Sequence, residues 1–347
     1  MRDNDRELLN CNFSKTILML IIILYHSCVF WRGDWFTKNP AIESRFLYWV
    51  SVFLSHFHNY GFVIISGYVF FYLHFEVNRY ASFWLFIKKK CMRLLMPYFS
   101  VLIFWVIPFA IALMKYDFST VMSNYILGRA PNQLWFLLML FWTYVISYYL
   151  SEVWNRNNVI VGLATSLFLY GFGFAAERII PNCFQVWSAT KYIIYFCLGF
   201  YLRKNSKQTK LLIQHAELFA ILYFVLFAFL RTVESYTNGK GTFYRIGYEI
   251  YLLILNSLGG VMIFLILQKF ASAFTWDKAS LIKKLEPFSL QMYLFHQQII
   301  WLFILALNGI VHPLINVLIN FYFACLIAYF MSLLFSKNKV LSKMMGH

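Results

Sequence analysis

Apolar runs of roughly twenty residues, parted by short polar tracts, recur from one end of this sequence to the other. A run of that length, wound as an α-helix rising about 1.5 Å per residue, crosses the ~30 Å hydrocarbon core of a bilayer. Lipid offers no hydrogen bonds, so every backbone N–H and C=O in such a run must find its partner within a helix. About ten runs meet the length rule, near residues 13–31, 46–73, 94–114, 132–151, 158–175, 189–202, 212–231, 246–268, 287–306 and 309–335. The sixth is short, and the first, second and last are long enough to tilt or break. The expected fold class is all-α: a polytopic transmembrane helical bundle with both termini cytoplasmic. It forms one integral-membrane domain over 1–347, with a short leader at 1–12 and a short tail at 336–347.

Composition agrees with a lipid-covered chain. Hydrophobic residues make up 61% and charged residues only 13%, with a mean hydropathy of +0.64, where soluble domains carry about 25% charged residues. The net charge of +16 would suit a nucleic-acid partner, but the Lys and Arg lie in short tracts between apolar runs, where the positive-inside rule uses them. The densest tracts are Lys88 to Arg93, Arg203 to Lys210, and Lys278 to Lys284. All three fall on one side when the N-terminus is cytoplasmic, so membrane lipid is the expected surroundings and nucleic acid is not a partner. Six cysteines show no CxxC pair and no metal-ligand spacing, so they read as small apolar fillers and no metal site is expected. No cleavable signal, appended soluble domain or loop beyond about twenty residues is evident. Chemistry must therefore occur in or at the membrane.

Titratable side chains inside a span are costly and point to function. In the first span Lys15 lies at the cytoplasmic end, where its ammonium can snorkel, and His26 follows eleven residues later. That is about three turns and about 16 Å along the axis, so the cation and the imidazole share one helix face. The second span carries His56, His58, Asn59 and Ser66. Run from outside to inside, it brings His56 to roughly the depth of His26. Histidines two apart point to different faces, so a metal pair is not expected there, and interhelical hydrogen bonding is the favoured role. In the ninth span Ser289, Tyr293 and His296 recur at steps of four and three, one polar stripe that should face the bundle interior as glue or as a cavity wall. Motifs for other nucleophiles, metals, P-loops or dinucleotides are absent from the sequence.

Four features, in order along nearly the whole chain, resemble membrane-bound acyltransferase family 3. They are the basic residue, ten residues and histidine from Lys15 to His26; the run Phe62-Val63-Ile64-Ile65-Ser66-Gly67-Tyr68; the basic tract from Lys88 that closes in Pro97-Tyr98; and the span start Leu134-Trp135-Phe136-Leu137, followed much later by the Ser289–Tyr293–His296 helix. Where this chain has Lys15 the family usually has Arg; Lys keeps the charge but loses bidentate phosphate binding.

The resemblance implies transfer of an acyl group, most often acetyl, from cytoplasmic acyl-CoA as co-substrate to a hydroxyl of a cell-surface or lipid-linked glycan. The setting it implies is a multi-pass protein of the bacterial cytoplasmic (inner) membrane. On this reading the anionic end of CoA meets Lys15, Lys90 and Arg93, and the pantetheine arm runs up towards His26. His26 then serves as general base or as a transient acyl carrier. Candidate acids to orient it are Asp34, Glu43 and Glu249, and Asn59, Tyr60 and Ser66 are oxyanion donors by depth alone. The rival class is a flippase or exporter of lipid-linked glycans, which would share the spans, basic loops and polar cavity but carry out no acyl chemistry. The loop charges make a direct prediction: reporter fusions at Arg203 and at the C-terminus read as cytoplasmic, and an external readout at either would overturn the topology.

Overall fold

The computed structural model describes residues 3–33, 38–80, 82–273 and 281–346. Among these no strand occurs, and the chain is a helical bundle. Helix α1 (Asp3–Cys28) is followed by α2 (Arg45–Ser55) and α3 (His58–Phe71), then by the long, uneven α4 (Phe83–Met114). Next come α5 (Trp135–Arg156), α6 (Val159–Ala176), α7 (Val186–Lys204), α8 (Ser206–Gln214) and α9 (Ala216–Thr237). The series closes with α10 (Thr242–Ala273), α11 (Ser289–Leu307), α12 (Pro313–Ser336) and the short α13 (Lys339–Met344). Among the described residues eight helical stretches are long and apolar enough to cross a membrane, which makes this an integral membrane protein. The other two expected spans are present as helices of a different kind. Residues 46–73 form two shorter helices of 11 and 14 residues that break at His56-Phe57. Helix α7 has 19 residues, but Ser188, Thr190 and Lys191 dilute its hydropathy.

Several ends lie elsewhere than the apolar runs alone suggest. The leader is helical from Asp3 and continuous with the first span. The third span starts at Phe83 rather than near residue 94, so the basic run Lys88–Arg93 is helix, not loop. Phe86 of that extra stretch is buried while Trp84 and Leu85 face outward, and the Lys90 ammonium reaches back over the Phe86 ring. The helix then widens into π turns at Cys91–Leu95 and Leu102–Val106. The tail is docked rather than loose: the Gln291 amide donates to the Met345 carbonyl at 2.9 Å.

Two contacts fix how the helices cross. Gly67 of α3 and Gly199 of α7 let the two backbones touch. A methyl group on Gly67 would overlap the Phe196 carbonyl oxygen, and one on Gly199 would overlap that of Ile64. Small residues at a crossing are how helices approach closely in lipid, where no hydrophobic effect drives them together. The Ser66-Gly67 pair thus has a packing reason for its glycine. The second contact is ionic. Arg203, only 5% exposed at the end of α7, donates to both carboxylate oxygens of Glu76 at 2.8 and 2.6 Å and to the Tyr68 hydroxyl at 3.2 Å, and it also pairs with Glu7 of α1. Asn12 reaches Glu286 at 2.8 Å beside it. The described residues near the two chain ends thus gather at one end of the bundle.

The glycine contact predicts a sharp contrast. Gly67→Val or Gly199→Val should lower the melting temperature of the purified protein or abolish its accumulation, while Gly171→Ala, whose added carbon would meet nothing within 4 Å, should leave it unchanged. Equal melting temperatures for all three would contradict the close crossing.

Candidate functional site

The site grows from one face of α1. Lys15, Met19, Ile22 and His26 follow one another at steps of four, three and four, the spacing of a single helical stripe. The polar neighbours off that stripe donate within their own helix: Ser14 to the Asn10 carbonyl at 2.9 Å, Thr16 to Asn12 at 3.0 Å and Ser27 to Ile23 at 2.9 Å, and Ser14 also accepts from Gln268 of α10 at 3.2 Å. Lys15, Met19 and Ile22 line a cavity of about 120 Å³. Its other walls come from α3 (Phe62, Ser66, Val69), α4 (Lys90, Arg93, Leu94), α5 (Phe136, Leu140, Tyr144) and α11 (Ser289, Leu290, Tyr293).

Three cations meet here. Lys15, Lys90 and Arg93 all line the cavity, and none of the described residues lining it is an Asp or Glu. Lys90 is buried, its ammonium 3.4 Å from the centre of the Tyr144 ring and about equally distant from Phe86 (5.4 Å) and Tyr80 (5.5 Å). A cation over aromatic faces is held without being neutralised. Arg93 follows at i+3 inside the π turn, a widening of the helix that recurs at functional sites. Lys88 and Lys89, from the same basic run, are exposed and do not line the cavity. The arrangement suits an anion with more than one charged group at the end of an apolar tunnel.

One turn beyond Ile22 on α1, and one turn beyond Tyr293 on α11, two histidines meet. His26 Nδ1 lies 2.7 Å from His296 Nε2, and His296 Nδ1 lies 2.6 Å from the Tyr293 carbonyl oxygen. His296 is fully buried. Of the sequence candidates, Lys15, Lys90, Arg93, Ser66, Ser289 and Tyr293 share the cavity, whereas His26 and His296 do not line it and meet one turn further along α1 and α11. Four others take different places. His56 bonds Asn256 of α10 at 2.7 Å, the interhelical role expected of it. His58 bonds the Leu54 carbonyl at 2.6 Å and packs on Tyr25, with ring centres 4.5 Å apart. Asn59 and Tyr60 do not line the cavity; Tyr60 packs on Tyr192 and Tyr195 of α7.

The place on His26 Nδ1 is taken by a histidine rather than by one of the candidate acids. Glu43 and Glu249 line separate pockets, and Asp34 lies outside the described residues, as does Lys278 of the third basic tract. Among the described residues no three His, Cys, Asp or Glu side chains gather as a metal site. Sequence reasoning passed over Gln133. Its backbone N–H donates to Gln297 at 2.9 Å, its side-chain amide donates to the Leu294 carbonyl at 2.8 Å and to Gln298 at 2.7 Å, and its carbonyl accepts from the Tyr293 hydroxyl. Trp105 completes the latch by donating to Gln298 at 3.1 Å. The signal was present as two consecutive glutamines in an apolar helix, but their partner lies over 160 residues away.

A family model for the acyltransferase domain, family 3, matches residues 10–337. No curated protein and no solved structure matches the chain.

The cation cluster predicts a charge-reversal outcome. In the double variant Lys90→Glu, Arg93→Glu, CoA affinity measured by titration of the purified protein should fall at least about tenfold, equivalent to about 1.4 kcal/mol. The matching pair Lys88→Glu, Lys89→Glu should bind as the parent does. Unchanged affinity in a folded Lys90/Arg93 variant would remove the anion site.

Proposed function

This chain belongs to acyltransferase family 3, and on that premise we propose that it moves an acyl group, acetyl in the simplest case, from cytoplasmic acyl-CoA to a hydroxyl of a cell-surface or lipid-linked glycan at the bacterial inner membrane. The observation that carries this reading is the continuous α1 stripe, with unneutralised cations at one end and a paired imidazole at the other. The phosphates of CoA sit against Lys15, Lys90 and Arg93. The end of the bundle that holds them faces the cytoplasm, in keeping with the positive-inside rule. The pantetheine arm lies along Met19 and Ile22 among Phe62, Phe136 and Leu140, an apolar passage that presents the thioester near His26. The span from Lys15 to His26 is about 16 Å along the helix axis, a distance an extended arm can cover.

Two routes use the same imidazole. As general base, His26 takes the proton of the glycan hydroxyl while its oxygen attacks the thioester carbonyl; the C–S bond then breaks, and the departing thiolate receives that proton. As nucleophile, the ring carries the acyl group itself before passing it to the hydroxyl. Exclusion of water by the buried walls protects the thioester from hydrolysis on either route. A flippase with the same cavity would need neither the histidine nor acyl-CoA.

Both routes fail without a ring nitrogen at position 26. His26→Gln should therefore insert in normal amount yet leave surface glycan without acyl groups, as read by mass analysis of glycan from cells with and without the gene. Fully acylated glycan from His26→Gln cells would end this reading, and a loss of exported glycan with its acyl content intact would favour the transporter.

A further inference from the structure

The two bonds of His296 have a direction. A carbonyl oxygen only accepts, so the Tyr293 carbonyl requires a proton on His296 Nδ1. A neutral imidazole has one N–H, which leaves the lone pair of His296 on Nε2. That nitrogen faces His26 Nδ1 at 2.7 Å, so the proton between the rings belongs to His26 Nδ1 and is donated to His296. The lone pair of His26 then lies on Nε2. The opposite tautomer of His26 would set two lone pairs against each other at hydrogen-bond distance. The backbone that starts this relay is itself immobilised, because Gln133 bonds the Leu294 carbonyl and the Gln297 side chain on either side of His296 and takes the Tyr293 hydroxyl.

We propose that His296 is the positioning residue of the transfer reaction: it fixes the tautomer and plane of His26 so that Nε2 is the reacting nitrogen, and it accepts from Nδ1–H when the ring becomes cationic. This rests on the acyl-transfer reading above. When the hydroxyl proton arrives on His26 Nε2, both nitrogens of that ring carry hydrogen, and the Nδ1–H bond to His296 strengthens because its donor is now charged. With the C–O bond formed in the hydroxyl's attack, the Nε2 proton then passes to the departing sulfur as the C–S bond breaks. His26 returns to its starting tautomer, and His296 neither gains nor loses a proton. A buried carboxylate does this work in hydrolase triads. A second histidine does it without adding negative charge to a membrane interior.

The test separates holding from packing. Glutamine at 296 can place an amide oxygen about where Nε2 stands and accept from His26 Nδ1–H, whereas leucine fills the volume and accepts nothing. Membranes from producing cells, which contain the endogenous glycan, are given acetyl-CoA, and thiol release dependent on the protein is followed across acetyl-CoA concentrations. In His296→Leu the kcat should fall about a hundredfold or more, within the range such groups contribute, with KM for acetyl-CoA changed less than about twofold. His296→Gln should recover most of the lost kcat. Melting temperature and membrane content are compared alongside, and His296→Met replaces the leucine variant if that one does not accumulate. Equal kcat in the glutamine and apolar variants, whether both high or both low in folded protein, would overturn the proposal. His26→Gln in the same membranes tells the two failures apart. If it turns over acetyl-CoA, the acyl-transfer reading itself falls; if it is dead while His296→Leu works at the parent rate, only the role of His296 falls.

Discussion

No water reaches the hydrocarbon core, so each polar side chain carried there must find its partner inside the bundle or line a cavity. Most of the arrangement follows from that demand. Ser14, Thr16, Ser27 and Ser66 answer it locally by bonding the carbonyl four residues back. Gln133, Gln297 and Gln298 answer it together, joining the start of α5 to α11 in a closed network. His26 cannot be satisfied within α1, and its answer is His296 across the bundle. The cations are the exception that gives the site its character. Lys90 is held by aromatic rings, and none of the described residues lining the cavity is an acid that would already occupy it.

Packing and chemistry depend on each other at α3. The Ser66-Gly67 step brings α3 against α7 through glycine, and the opposite side of the same turn contributes Ser66 and Phe62 to the cavity wall. Removing the close approach would push α3 outward and disturb the cavity wall that Ser66 and Phe62 form. The Arg203–Glu76 pair secures the lower end of the same helix. Arg203 is buried while Glu76 is exposed, so Arg203, which reads in the sequence as a topology signal alone, also has a structural duty.

Much of this could be read from residues in order. The Lys15–His26 face follows from helical spacing within one run, and the Ser289–Tyr293–His296 stripe does too; both were legible because the geometry of a single helix is periodic. Lys90 and Arg93, named in the sequence on the strength of the family resemblance, are residues of the basic tract that line the cavity, while Lys88 and Lys89 do not. Contacts between distant segments left no local trace. The pairing of His26 with His296 joins residues 270 apart, and Arg203 meets Glu76 across 127. Nor could hydropathy show that α4 begins at Phe83, because three consecutive lysines mark a loop by composition even when aromatic rings shelter one of them. The break at His56-Phe57 falls in the second span, one of those expected to tilt or break, among Ser55, His58 and Asn59.

The central claim is that donor and base share one passage along α1. A structure of the protein bound to a non-hydrolysable thioether analogue of acetyl-CoA tests it most directly. The account predicts phosphate density against Lys15, Lys90 and Arg93, the pantetheine arm along Met19 and Ile22, and the sulfur beside His26 Nε2. Phosphates bound elsewhere, or an arm directed away from His26, would contradict it.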